Sequence, residues 1–151
     1  MTAATGEGPA RVVTTVGHGN LGAEEFAGLL RGAGIERLLD IRRYPGSRRH
    51  PWFGAREMAR WLGDAGVEHV LLPELGGRRK PSPDSPNTAW RVDQFAAYAD
   101  HMATVEFRSG IDRLLELADR PLAVMCSEAL WWRCHRRLVA DHLVLVEGVG
   151  V

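Results

Sequence analysis

Both cysteines of the chain, Glu128, His135 and the arginines Arg133, Arg136 and Arg137 fall within residues 126–137, directly after an apolar run. A thiol beside imidazole and guanidinium groups ionises readily and becomes a nucleophile, and a neighbouring carboxylate can carry the proton. Cys126 is therefore a candidate nucleophile, with Glu128 as its acid or base. Guanidinium is the preferred fork for phosphate or carboxylate. That makes Arg136 a candidate anion clamp, flanked by Cys134 and His135.

Spacing narrows the chemistry. The phosphatase pattern, cysteine followed by five residues and arginine, is not met: Trp132 holds that place and Arg133 comes one later. Cys126, Cys134, His135 and His18 could assemble four donors around zinc, but adjacent residues on a helix beginning near Cys134 should point to different faces. The spacings also match no recognised zinc pattern, so neither metal nor cofactor is expected. Cys126 can equally be a small buried hydrophobe that closes a strand.

The elements that must position these groups follow from periodicity. Residues 122–125 read as a strand, with a polar loop and a helix from about 134 through 142 behind it. The β-branched run 12–16 reads as a strand ended by the turn Gly17-His18-Gly19-Asn20. Phe26, Leu29 and Leu30 sit at helical spacing after Glu24 and Glu25, which predicts a helix from 23 closed by Gly32 and Gly34. Strands are expected over 37–41 and 67–72, and a helix over 56–65 with Met58, Trp61 and Leu62 inward. Prolines and glycine forbid a helix in 42–53, the most basic part of the chain, and 78–87 make a long surface loop suited to a lid or binding element. Phe95, Tyr98, Ala99 and Met102 predict a short helix. Thr104 is placed as the N-cap of another, through Phe107, Ile111, Leu114, Leu115 and Ala118. With the closing apolar run 144–151, about five strands alternate with helices.

That order argues for an α/β fold, an open, mainly parallel sheet with helices on both faces, as a single domain over 11–151 after a loose tail 1–10. In such sheets ligands bind beyond the carboxyl ends of the strands. The polar clusters sit there: His18 after the first strand, Asp40 to Arg49 after the second, Glu74 after the third, and Cys126 to Arg136 after the fourth. Four loops should meet along one rim. Formal net charge is zero, with 19 basic and 19 acidic residues, so bulk charge makes no case for nucleic acid and any such case must be local. No window approaches the ~20 apolar residues of a membrane span, and no apolar N-terminal core reads as a signal peptide, so a cytoplasmic chain with reduced thiols is expected.

At these four places the chain resembles the domain of unknown function 488 family. The matching residues are Val16-Gly17-His18; Asp40-Ile41-Arg42-Arg43 with Pro45, Ser47 and Arg48; Leu72-Pro73-Glu74-Leu75-Gly76-Gly77; and Met125-Cys126-Ser127-Glu128 with Cys134-His135-Arg136-Arg137. Together they span about 12–147, and Gly19 stands where that family often has serine. The resemblance implies a Rossmann-like domain whose site these polar residues line. It supplies no activity.

Arginines gather in the rim loops, so the expected function is to hold a phosphorylated ligand, a nucleotide or a nucleic-acid end, in an enzyme or an enzyme-like binder. Arg42, Arg48 and Arg136 would clamp the anion, with His18, Asp40, Arg43, Ser47, Cys134 and His135 around the ligand. Glu128 or Glu74 would act as acid or base and Cys126 as nucleophile. An alternative is a non-catalytic nucleic-acid-binding module using the arginine loop and Trp90, with base stacking on tryptophan. A further one is a thiol-dependent, sulfurtransferase-like enzyme, since Asp40-Ile41-Arg42 with Tyr44 faintly resembles rhodanese-type enzymes. No membrane partner is expected.

Overall fold

The computed structural model describes residues 12–151, so the tail expected over 1–10 lies outside the described residues. Among the described residues four segments form strands: β1 (Val13–Gly17), β2 (Arg37–Asp40), β3 (Glu68–Leu71) and β4 (Leu122–Cys126). They pair in parallel throughout, in the order β1-β4-β2-β3. Parallel neighbours cannot be joined by a tight turn, so helices carry the chain back along the faces of the sheet. These are α1 (Ala23–Gly32), α2 (Ala55–Asp64), α3 (Asp93–His101), α4 (Val105–Leu117) and α5 (Arg136–Leu145).

A strand covered on both faces must be apolar throughout. β4 meets this condition, with every residue buried. Its side chains alternate: Leu122, Val124 and Cys126 join a core with Ile111 and Leu114 of α4 and Leu138 and Val139 of α5, whereas Ala123 and Met125 join Phe26, Leu30, Met58 and Leu62 from α1 and α2. The two-residue period thus turns Cys126 toward the layer that contains Cys134. Register pairs Gly17 with Cys126 and Asp40 with Met125. β1, β2 and β4 therefore finish nearly level, and their loops leave from one edge.

Most local signals act as their chemistry dictates. The Thr104 hydroxyl accepts the Phe107 N–H at 3.2 Å and caps α4. Met58 and Leu62 are buried, and Trp61 meets Phe26 and Phe53 edge-on. Leu29 differs: it is 55% exposed, because Phe26, Ala27 and Leu30 form the buried face of α1.

Among the described residues the sheet has four strands rather than about five. Leu138, Val139 and Leu143 form a buried stripe that keeps the chain helical to Leu145, and Gly148, at φ 68°, then turns it. Of the closing run, Gly150 forms one isolated bridge to Val12, just ahead of β1, and its carbonyl accepts the Val13 N–H at 2.8 Å. Among the described residues no helix is long and apolar enough to cross a membrane.

Candidate functional site

The loops that leave the level strand ends are laced to one another. The His18 and Gly19 N–H groups donate to the carbonyls of Cys126 and Ser127, both at 3.0 Å. A Cβ at Gly17 would fall 1.9 Å from the Glu128 carbonyl oxygen, so only glycine allows β1 to pass this close to the loop after β4. In the loop after β2, the Ser47 hydroxyl accepts the His50 N–H, and the His50 ring lies 3.0 Å from the Asn20 side chain. Arg43 donates to the Arg78 carbonyl at 3.2 Å, which joins that loop to the one after β3.

Between them lies a cleft of about 1100 Å3. Its walls carry Arg42, Arg43, Arg48, Arg49, Arg78 and Arg133, and its single carboxylate is Glu128. Among the described residues, Arg43, Arg48, Arg49, Arg78 and Arg133 form no ion pair. Arg78 stands at φ 55°, in the left-handed region that costs a non-glycine residue roughly 1–2 kcal/mol.

Arg42 is fixed from behind. Asp40, fully buried, accepts its Nε at 2.9 Å, its NH2 at 2.6 Å and its backbone N–H at 3.1 Å, and lies 3.1 Å from His69 Nε2. Burial alone pushes the Asp40 carboxyl up, but hydrogen bonds from Arg42 and His69 and the Arg42 charge outweigh it and hold the group below the usual carboxylate range. Arg42 NH1 is buried and has no partner among the described residues.

His18 stacks on Phe53 at 4.1 Å, and its Nδ1 lies 2.9 Å from the Gly19 carbonyl. Only a protonated Nδ1 can make that bond. Burial, assisted by the Arg42 charge, lowers the His18 pKa against the Gly19 bond, so the ring is neutral and Nε2 carries a lone pair. That atom too is buried without a partner among the described residues.

The floor is formed by Cys126, Cys134 and His135, whose ligand atoms lie within 4.8 Å of one another. The expectation that Cys134 and His135 diverge on a helix does not hold. Cys134 is extended (φ −118°, ψ 154°) and His135 is only the N-cap, so the helix starts at Arg136 and both side chains reach one point. Hydrogen bonding from Cys134, then from His135, holds the Cys126 thiol well below the usual range in spite of burial. The same bond to Cys126, together with burial, pushes Cys134 up. The pair titrates as a unit in which Cys126 is the more acidic partner.

Of the residues expected from sequence, the cleft brings together His18, Arg42, Arg43, Ser47, Arg48, Cys126, Glu128, Cys134 and His135. Asp40, Glu74 and Arg136 are not among those lining it. Arg136 is 1% exposed, donates from NH2 to the Glu128 carbonyl and from its backbone N–H to Cys134 Sγ, and so braces the loop after β4. The Glu74 side chain packs beside Gly110 of α4, and its carbonyl takes a 2.6 Å bond from His101. The Glu128 carboxylate accepts the Leu130 N–H at 3.0 Å. The 78–87 loop contributes only Arg78 to the cleft, because Ser85 and Asn87 tie it to Asp100 of α3.

The lining also includes Asn20, His50, Gln94, Phe95 and Tyr98, which sequence reasoning did not assign to the site. Tyr98 donates to the Leu75 carbonyl at 2.7 Å and its ring lies 5.0 Å from His135. Helical spacing with Phe95 marks Tyr98 as core and carries no sign of this second role. Trp90 lies against Phe95 and the Arg137 guanidinium and is not part of the lining.

Compared with known families, the chain matches the domain of unknown function DUF488 over residues 22–143, a span that includes the loops after β2, β3 and β4 and begins after His18. Comparisons with curated proteins and with solved structures gave no significant match.

Proposed function

This chain belongs to the domain of unknown function DUF488 family, and we propose that it binds a phosphorylated ligand, a nucleotide or nucleic-acid end, in the cleft at the strand ends. One observation carries the reading. Arg42 lines the cleft and its NH1 is buried without a partner among the described residues, while Asp40 holds the Nε and NH2 edge of the guanidinium. A buried donor left unmade costs roughly 1–3 kcal/mol, and a phosphate oxygen relieves that cost through a charge-assisted bond. The surrounding charge selects an anion, because five further guanidiniums line the cleft against one carboxylate that is already engaged by Leu130. Net charge is zero, so this attraction is local to the cleft.

Beyond binding, two groups can take part in a reaction. His18 Nε2, as a lone pair, can accept the proton of a ligand hydroxyl or of water. Cys126 offers a sulfur, used either as an attacking thiolate or as a ligand. Glu74 lies outside the lining, so the carboxylate role passes to Glu128.

A second reading, a nucleic-acid-binding module without chemistry, draws support from Trp131 and Trp132, which are exposed and precede Arg133 in the chain. Calorimetric titration of pyrophosphate and of a single-stranded oligonucleotide over a salt series separates the two. A phosphate pocket gives 1:1 pyrophosphate binding, weakened at least about tenfold by Arg42→Lys, which is the value of one charge-assisted bond. A module gives weak pyrophosphate binding and a steep salt slope for the oligonucleotide. Folded protein that takes up neither pyrophosphate nor a nucleotide sinks the primary reading.

A further inference from the structure

Anion binding by the arginine walls makes no use of the three groups on the cleft floor acting together. Cys134 Sγ lies 3.5 Å and Cys126 Sγ 4.0 Å from the same atom, His135 Nδ1, and the three atoms lie within 4.8 Å of one another. A tetrahedral zinc ion, with Zn–S of about 2.3 Å and Zn–N of about 2.0 Å, sets the sulfur–nitrogen separation at roughly 3.6 Å and the sulfur–sulfur separation at roughly 3.8 Å. The observed sulfur–nitrogen separations depart from this by no more than about half an ångström, within reach of side-chain adjustment. We propose that Cys126, Cys134 and His135 bind one zinc-class divalent cation whose fourth coordination position opens into the arginine cleft.

Four features support the site. Two thiolates and an imidazole favour zinc over magnesium or calcium, which prefer oxygen donors. The Arg136 N–H donates to Cys134 Sγ at 3.5 Å, which supports charge on that sulfur. Gly77 borders the ligating nitrogen: a Cβ there would sit 2.9 Å from His135 Nδ1, so glycine keeps the space beside the ligand open. All three residues line the cleft, so three protein donors leave one position facing a bound oxyanion or water, the arrangement of catalytic zinc sites. With the ion bound, Cys126 is a ligand and no longer a free thiolate. The site stands on these side chains and does not depend on the anion reading.

The test uses the full chain, freed of any histidine tag, reduced, stripped with a chelator and titrated with cobalt(II) alone. One equivalent of cobalt should bring up the visible bands of tetrahedral cobalt together with sulfur-to-cobalt charge transfer, and zinc should remove them. Cys134→Ser should weaken cobalt binding by about 100-fold or more. If that variant does not fold, His135→Gln replaces it as the ligand deletion, with the same loss expected. Folded, fully reduced parent that shows no charge-transfer band overturns the proposal, as does a folded ligand variant that binds cobalt as tightly as the parent. Pyrophosphate titration of the stripped protein reports on the arginine cleft separately, so failure of one reading is distinguishable from failure of the other.

Discussion

Asp40→Asn isolates what holds Arg42 in position. The carboxylate is fully buried and accepts three bonds from Arg42, at 2.9, 2.6 and 3.1 Å, with His69 at 3.1 Å. Asparagine keeps the shape but removes the charge, and its amide turns a donor toward a donor. Breaking a buried pair from one side leaves an uncompensated charge and costs about 3–5 kcal/mol. At a urea slope of about 2 kcal/mol/M, a loss of about 3 kcal/mol moves the unfolding midpoint down by about 1.5 M at neutral pH. The effect depends on pH with a definite sign. Asp40 titrates lower in the folded chain than in the unfolded one, so its stabilisation is complete above the ordinary carboxylate pKa near 3.9 and is lost as pH falls through the lower, folded value. The gap between parent and variant should therefore be widest at neutral pH and narrow as pH falls below about 4. Urea melts of both chains at pH 7 and near pH 3 measure this. A midpoint shift below about 0.5 M at pH 7, or a gap that widens in acid, refutes the reasoning.

Other outcomes follow from single contacts. Gly17→Ala drives a Cβ to 1.9 Å from the Glu128 carbonyl, a backbone atom that cannot rotate away, and should cost about 3 kcal/mol or more. On a chain of this size that lowers Tm by roughly 6–12 °C in a thermal melt, and an unchanged Tm would show that the loop yields freely. Thr104→Ala removes the hydroxyl that caps α4 and should cost about 1 kcal/mol, or roughly 2–4 °C. Arg48 and Arg49 are exposed and unpaired among the described residues, so replacing both with alanine should leave stability within about 0.5 kcal/mol yet weaken pyrophosphate binding measurably.

The parts of the fold that local chemistry dictates were legible in the sequence. Thr104 caps because a side-chain oxygen at that position has an orphan N–H three residues ahead, and 122–125 reads as a strand because it is a short apolar run ahead of a polar loop. Strand-end loops carrying His18, Arg42 and Cys126 meet because parallel strands in register end together. What escaped depends on tertiary choices. The 144–151 run has strand-like composition, yet the buried stripe of Leu138, Val139 and Leu143 just before it keeps the chain helical to Leu145. His69 joins Asp40 across 29 residues of sequence with no local sign of the pairing. Arg136 and Glu74 have the residue types of a site, but burial behind the loop and packing on α4 decide where they point. Cys134 and His135 converge because the chain is still extended at Cys134, two residues before the helix, a boundary that spacing does not resolve.

A crystal structure of the full chain soaked with pyrophosphate tests the phosphate pocket most directly. A phosphoryl oxygen should lie about 2.7–2.9 Å from Arg42 NH1, with the Asp40 pair unbroken behind it. Pyrophosphate bound elsewhere, or a cleft that stays free of it at saturating concentration, would contradict the assignment of Arg42 as the inner contact.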